Sequence, residues 1–86
     1  MINITIKNTD LQDLFVTVVD LNQAVRGLIL DAKRINKGQS MGIEVQDDGD
    51  GRGHIRWQVN ETESPLTGKS GEAARLSDGD TVEVST

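Results

Sequence analysis

Eighty-six residues with a net charge of −5 and a pI of about 4.6 form one domain. An acidic chain releases no phosphate counterions and is repelled by anionic headgroups, which argues against nucleic acid or a membrane surface as partner. The absence of cysteine excludes disulfides and thiolate chemistry, and no apolar run approaches the about 18 residues of a membrane span. Met1–Lys7 alternates from its first residue instead of running basic and then apolar as a leader does, so the mature chain is expected to start at Met1 and to stay in the cytoplasm unless a leaderless export route carries it out.

In chain order, Ile2, Ile4 and Ile6 alternate with Asn3, Thr5 and Lys7 and predict a half-buried strand. Asn8-Thr9-Asp10 reads as a turn, because short polar side chains compete there with the backbone ladder. Leu14–Leu21 is β-branched and apolar and predicts a second strand. Leu14, Val16 and Val18 share one face, and Phe15, Val19 and Leu21 share the other, which suits a central or bulged strand.

Asp20–Gly38 admits two readings. A helix aligns Leu21, Val25, Leu28, Ala32 and Ile35 on one stripe, with Asp20 as cap and Gly38 as exit, but Gly27 would then sit inside it at a cost of about 1 kcal/mol. A strand over Gly27–Ile35 directs Leu28, Leu30 and Ala32 inward and leaves Ile29 in need of cover. Strand is favoured by an internal similarity: Ala32-Lys33-Arg34-Ile35-Asn36-Lys37-Gly38 parallels Ala73-Ala74-Arg75-Leu76-Ser77-Asp78-Gly79. Each copy then ends in an apolar-Glu-Val run, Ile43-Glu44-Val45 and Val82-Glu83-Val84. An apolar residue, a polar turn ending at glycine and then a strand describes a strand–turn–strand unit.

Met41–Gln46 and His54–Val59 alternate on either side of an Asp/Gly-rich loop and predict a hairpin. Directly opposed residues share a face, so an even-sum register about Asp50 sets Val45 opposite Ile55, Ile43 opposite Trp57 and Glu44 opposite Arg56 as an ion pair. Its outer face would carry Glu44, Gln46, His54, Arg56 and Gln58, and Trp57 would be a core anchor rather than a stacking platform. Glu61–Gly71 is the longest polar stretch and reads as a surface loop, and Val82 and Val84 mark a terminal strand.

Asp48–Ile55 echoes a calcium loop, with Asp48 and Asp50 at the first and third positions and Gly53 at the sixth. Arg52 and Val59, however, stand where an oxygen ligand and a bidentate glutamate belong. Asp48 and Asp50 are therefore only a weak metal candidate, and the expectation is that the chain holds no metal and no cofactor. Gly49, Gly51 and Gly53 lack the spacing and the helix of a phosphate loop. The single His54, without a visible nucleophile, makes no catalytic set.

The runs Ile2-Asn3-Ile4-Thr5-Ile6, Val18-Val19-Asp20-Leu21-Asn22, Gly38-Gln39-Ser40 and Gly51-Arg52-Gly53-His54-Ile55-Arg56-Trp57 together resemble uncharacterised small bacterial β-sandwich proteins. That resemblance implies the fold class and no activity.

The expected fold is thus all-β, a small antiparallel sandwich of six or seven strands, Ig-like or Greek-key in layout, the alternative being α+β with one helix at about 20–35. The expected function is that of a non-enzymatic binding or adaptor module for a protein partner. Its surface would be Glu44, His54 and Arg56 with the acidic tip Asp47, Asp48 and Asp50. Strand addition at an edge, Ile2–Lys7 or Thr81–Ser85, is a further route to a partner or to a homodimer, with a monomer as the other state. A calcium-assisted or carbohydrate-binding module is the alternative.

Overall fold

The computed structural model describes residues 1–23, 27–61 and 68–86. They form seven strands and no helix: β1 (Ile2–Asn8), β2 (Leu14–Asp20), β3 (Leu28–Ile35), β4 (Ser40–Val45), β5 (Gly53–Asn60), β6 (Lys69–Leu76) and β7 (Thr81–Val84). Two sheets face each other, a three-stranded sheet in the order β4-β1-β7 and a four-stranded sheet in the order β3-β2-β5-β6. The expected small β-sandwich is the fold observed. One pairing, β1 with β7, is parallel, so the smaller sheet is mixed.

Period-2 alternation fills the space between the sheets. Ile2, Ile4, Ile6, Leu14, Val16, Val18, Ile43, Val45, Ile55, Val59, Val82 and Val84 are buried, each contributing about 1.5–3 kcal/mol of apolar burial. β2 is central, which explains why its outer face, Phe15 and Val19, is also apolar and half-buried. Val25 and the loop residues 62–67, on which part of the expectation rested, lie outside the described residues.

The Asp20–Gly38 ambiguity resolves as strand. β3 pairs with β2 through two register irregularities, and Ala32 takes φ +47 at the bulge, where its N–H donates to the Thr17 hydroxyl. The bulge reassigns the faces: Ile35 is buried, Ile29 and Leu30 pack against the core, and Leu28, expected inside, is 53% exposed. Strict alternation cannot foresee such a shift, because one extra residue inverts every side chain beyond it.

The internal similarity corresponds to real geometry. Asn36–Gln39 and Ser77–Asp80 are β-turns, closed by Gln39 N–H to Asn36 O and by Asp80 N–H to Ser77 O, with Gly38 at φ +74 and Gly79 at φ +91. Each turn carries the chain from the four-stranded sheet to the three-stranded one. Each is pinned to one end of β1, through Gly38 N–H to Asn8 O and Gly79 N–H to Asn3 O. β1 is therefore the centre of its sheet, not the edge expected of Ile2–Lys7.

The predicted hairpin does not form. β4 pairs with β1 in the register Ile2↔Val45, Asn3↔Glu44, Ile4↔Ile43, whereas β5 pairs with β2 and β6. The chain between them crosses from one sheet to the other. The residues expected inside are inside, with Ile43 and Val45 arriving from one sheet and Ile55, Trp57 and Val59 from the other. Facing layers of a sandwich and opposed strands of a hairpin satisfy the same parity, so parity alone does not separate them. The polar stretch expected as loop is also shorter: Lys69-Ser70-Gly71 belongs to β6. Gly71 is required there, since a Cβ at this position would stand 2.6 Å from Cζ2 of the Trp57 ring.

Candidate functional site

Among the described residues the outer face of the four-stranded sheet carries the densest set of interacting side chains. Alternation along β5 sends Gly53, Ile55, Trp57 and Val59 inward and His54, Arg56 and Gln58 outward. β6 supplies Glu72 directly opposite Arg56. The Glu72 carboxylate bridges the two side chains, Oε2 to His54 Nε2 at 3.2 Å and Oε1 to Arg56 Nη2 at 3.3 Å. Hydrogen bonds from His54 and then from Arg56 hold the Glu72 carboxyl below its ordinary value of 4.5. All three side chains remain solvated, so the cluster is a fixed charge pattern rather than a buried ion network.

On the other side of Arg56 the same row turns apolar. Val19 of β2 lies opposite Arg56, and Leu28 of β3 lies opposite Val19. Four residues back along β2, beyond Thr17, Phe15 is half-buried beside Arg34, whose guanidinium pairs with Asp13 at 2.7 Å. That hydrogen bond, with the backbone N–H of Lys37, lowers the Asp13 carboxyl from its ordinary value of 3.8. The face thus carries two apolar spots, Val19 with Leu28 and, beyond Thr17, Phe15, each beside an ion-pair group.

The sequence-derived surface is divided by the fold. His54 and Arg56 are together on this face. Glu44, opposite Asn3 on β4, points outward from the other sheet, and the expected Glu44–Arg56 pair is replaced by Glu72–Arg56. Asp47, Asp48 and Asp50 lie on the crossing between the sheets.

That crossing is organised by carboxylates turned onto its own backbone. Asp48 Oδ1 accepts the N–H of Asp50 at 2.8 Å and of Arg52 at 3.3 Å, and Asp47 Oδ2 accepts the N–H of Gly51 at 3.2 Å. Gly49 and Gly51 supply positive φ, and the Arg52 guanidinium hydrogen-bonds the Ser77 hydroxyl. Among the described residues no group of three or more His, Asp or Glu side chains is arranged to hold a metal ion. Trp57 packs against the core, its ring over Gly71, so it is the anchor expected of it.

The crossing is held at both ends by the last residue of β2 and the turn that follows it. The side chain of Asn22 donates to Gln46 O at 3.0 Å and to Arg52 O at 3.2 Å. Asp20, 1% exposed, accepts the N–H groups of Asn22 and Gln46 and the side-chain amide of Gln23. Sequence reasoning missed Asp20, Glu72 and the outer apolar row. For Glu72 a signal existed, since Ser70, Glu72 and Ala74 alternate with Gly71 and Ala73 and offer a strand beside Arg56.

No protein-family model, no curated protein and no solved structure matches the chain. Among the described residues no helix is long and apolar enough to cross a membrane.

Proposed function

We propose that the protein is a non-catalytic binding module that docks a protein partner on the outer face of its four-stranded sheet. The observation that supports this reading is the row Leu28–Val19–Arg56–Glu72. An exposed leucine and a half-buried valine run directly into a charge cluster whose geometry is already set within the free protein. Recognition surfaces concentrate their energy in a few apolar and arginine anchors, surrounded by polar groups that fix orientation. Here both kinds of anchor sit on sheet strands, so little ordering entropy is lost on docking. His54 is engaged by Glu72, and the cluster contains no hydroxyl or thiol positioned against His54 as a nucleophile.

Photo-crosslinking from position 28, compared with position 44 on the opposite face, tests the reading. The expected result is a defined protein adduct from position 28 that disappears on Arg56→Ala and persists on Glu44→Ala. Equal labelling from both faces, or an adduct indifferent to Arg56, would sink it.

A further inference from the structure

We infer that the free edge of β4 is a self-pairing site, at which a second copy of this chain adds its own β4 antiparallel about Gly42. The three other sheet edges are blunted. β3 and β6, the edges of the four-stranded sheet, each carry a register irregularity and a non-glycine residue at positive φ, Ala32 at +47 and Arg75 at +56. Bulges of this kind twist an edge away from a partner strand. β7 is four residues long. β4 runs six residues in unbroken register with β1 and contains no proline, no lysine and no arginine.

The direction of its free groups follows from the ladder. Asn8 N–H donates to Gln39 O, in the same register as Lys7↔Ser40. Alternation then points the backbone groups of Met41, Ile43 and Val45 at β1, and those of Ser40, Gly42 and Glu44 at the open edge. Gly42 is the second observation. It has no positive φ, and a Cβ built on it would meet nothing within 4 Å. Neither backbone conformation nor packing among the described residues calls for glycine. A mid-strand glycine without such a reason often stands where a ligand or another backbone approaches closely, and on an open edge the approaching backbone is a further strand.

Self-pairing also has a preferred register. Only even-numbered residues present free groups, so even must face even. With Gly42 opposite Gly42 of the second copy, Ser40 faces Glu44 in both halves, and a hydroxyl stands beside each carboxylate. The two glutamates are then four residues apart along the paired strands, about 13 Å. Moving the axis to Ile43 makes them diagonal neighbours at about 7–8 Å, and moving it to Glu44 opposes them directly. On the inner face Met41, half-buried in the single chain, gains Ile43 of the second copy as its cross-strand neighbour. The product is a continuous sheet β7-β1-β4-β4-β1-β7.

The test is sedimentation equilibrium of the full chain from micromolar to millimolar concentration, for the natural sequence, Ser40→Lys and Ser40→Glu. The natural chain should move from 9.4 kDa toward twice that mass. Ser40→Lys, which faces Glu44 across the axis, should tighten association about fivefold or more, and Ser40→Glu should weaken it by a similar factor. Lys7 lies opposite Ser40 within the chain, so the same two substitutions affect the stability of the single chain in the reverse order. A mere stability effect therefore cannot imitate the result. Protection of the Gly42 amide against hydrogen exchange should rise with concentration. A chain of single mass at millimolar concentration, two variants that shift association alike or not at all, or a Gly42 amide that exchanges equally fast at all concentrations would overturn the proposal.

Discussion

The buried carboxylate of Asp20 accepts the backbone N–H of Gln46 at 2.7 Å, and this one bond ties the central strand of the larger sheet to the end of β4 in the smaller one. Asp20 Oδ2 takes a second donor from Gln23, while Oδ1 takes the N–H of Asn22. An amide in place of the carboxylate must set its NH₂ against at least one N–H donor in either orientation. Asp20→Asn should therefore cost about as much as Asp20→Ala, about 3 kcal/mol each, read as a fall in the urea midpoint. An Asn variant as stable as the natural chain would show that the carboxylate is not the acceptor that joins the sheets.

Gly71 and Trp57, opposite each other on β6 and β5, are in close contact. Gly71→Ala should displace the indole ring, lower stability by about 1–3 kcal/mol and shift Trp57 emission to the red. Because Trp57 is the chain's only tryptophan, the emission reports this position alone. An unchanged spectrum would place the ring elsewhere.

Glu72 links the proposed docking face to pH. Its carboxyl is held below the ordinary value, so the native state favours the ionised form. The resulting stabilisation is present above pH 4.5 and is lost as pH falls through the lower native value. Natural protein and Glu72→Gln should differ in thermal midpoint at neutral pH and converge in acid. Curves that remain parallel down to the acid limit would detach Glu72 from His54 and Arg56.

The crossing loop distinguishes capping from metal binding. Asp48→Ala removes the acceptor of two backbone N–H groups and should cost about 1 kcal/mol, whereas Asp50→Ala should leave the unfolding midpoint in place. Millimolar calcium should leave the midpoint of the natural chain where it is. A calcium-dependent rise abolished by both substitutions would instead make Asp48 and Asp50 ligands.

What could be read from the residues, and what could not, divides along physical lines. Alternation at Ile2–Ile6, Leu14–Val18, Ile43–Val45 and Val82–Val84 identified strands and their inner faces, because burial on one side enforces a period of two. The glycine-terminated turns at Gly38 and Gly79 were legible because φ is positive at each. Strand partnership was not legible. Which strands pair is decided by contacts remote in sequence, such as Asp20 with Gln46, and by bulges such as that at Ala32, which leave no periodic trace. The site suffered for the same reason. His54 and Arg56 were correctly joined as neighbours on one strand, but Glu44 was assigned to them through a pairing the chain does not make, and Glu72, their real partner, was left out.

All of this rests on β4 and β5 lying in different sheets, and the absence of native cysteine permits a direct test. Glu44→Cys can be combined with Asn3→Cys, its cross-strand neighbour on β1, or with Arg56→Cys, its neighbour in a hairpin. A non-hydrogen-bonded antiparallel pair brings Cα atoms to about 4.5 Å, within disulfide reach. Under mild oxidation of the folded protein, the pair at positions 3 and 44 should close completely, and the pair at positions 44 and 56 should stay reduced within the chain. An intramolecular disulfide between positions 44 and 56, with none between 3 and 44, would contradict the architecture and the docking face built on it.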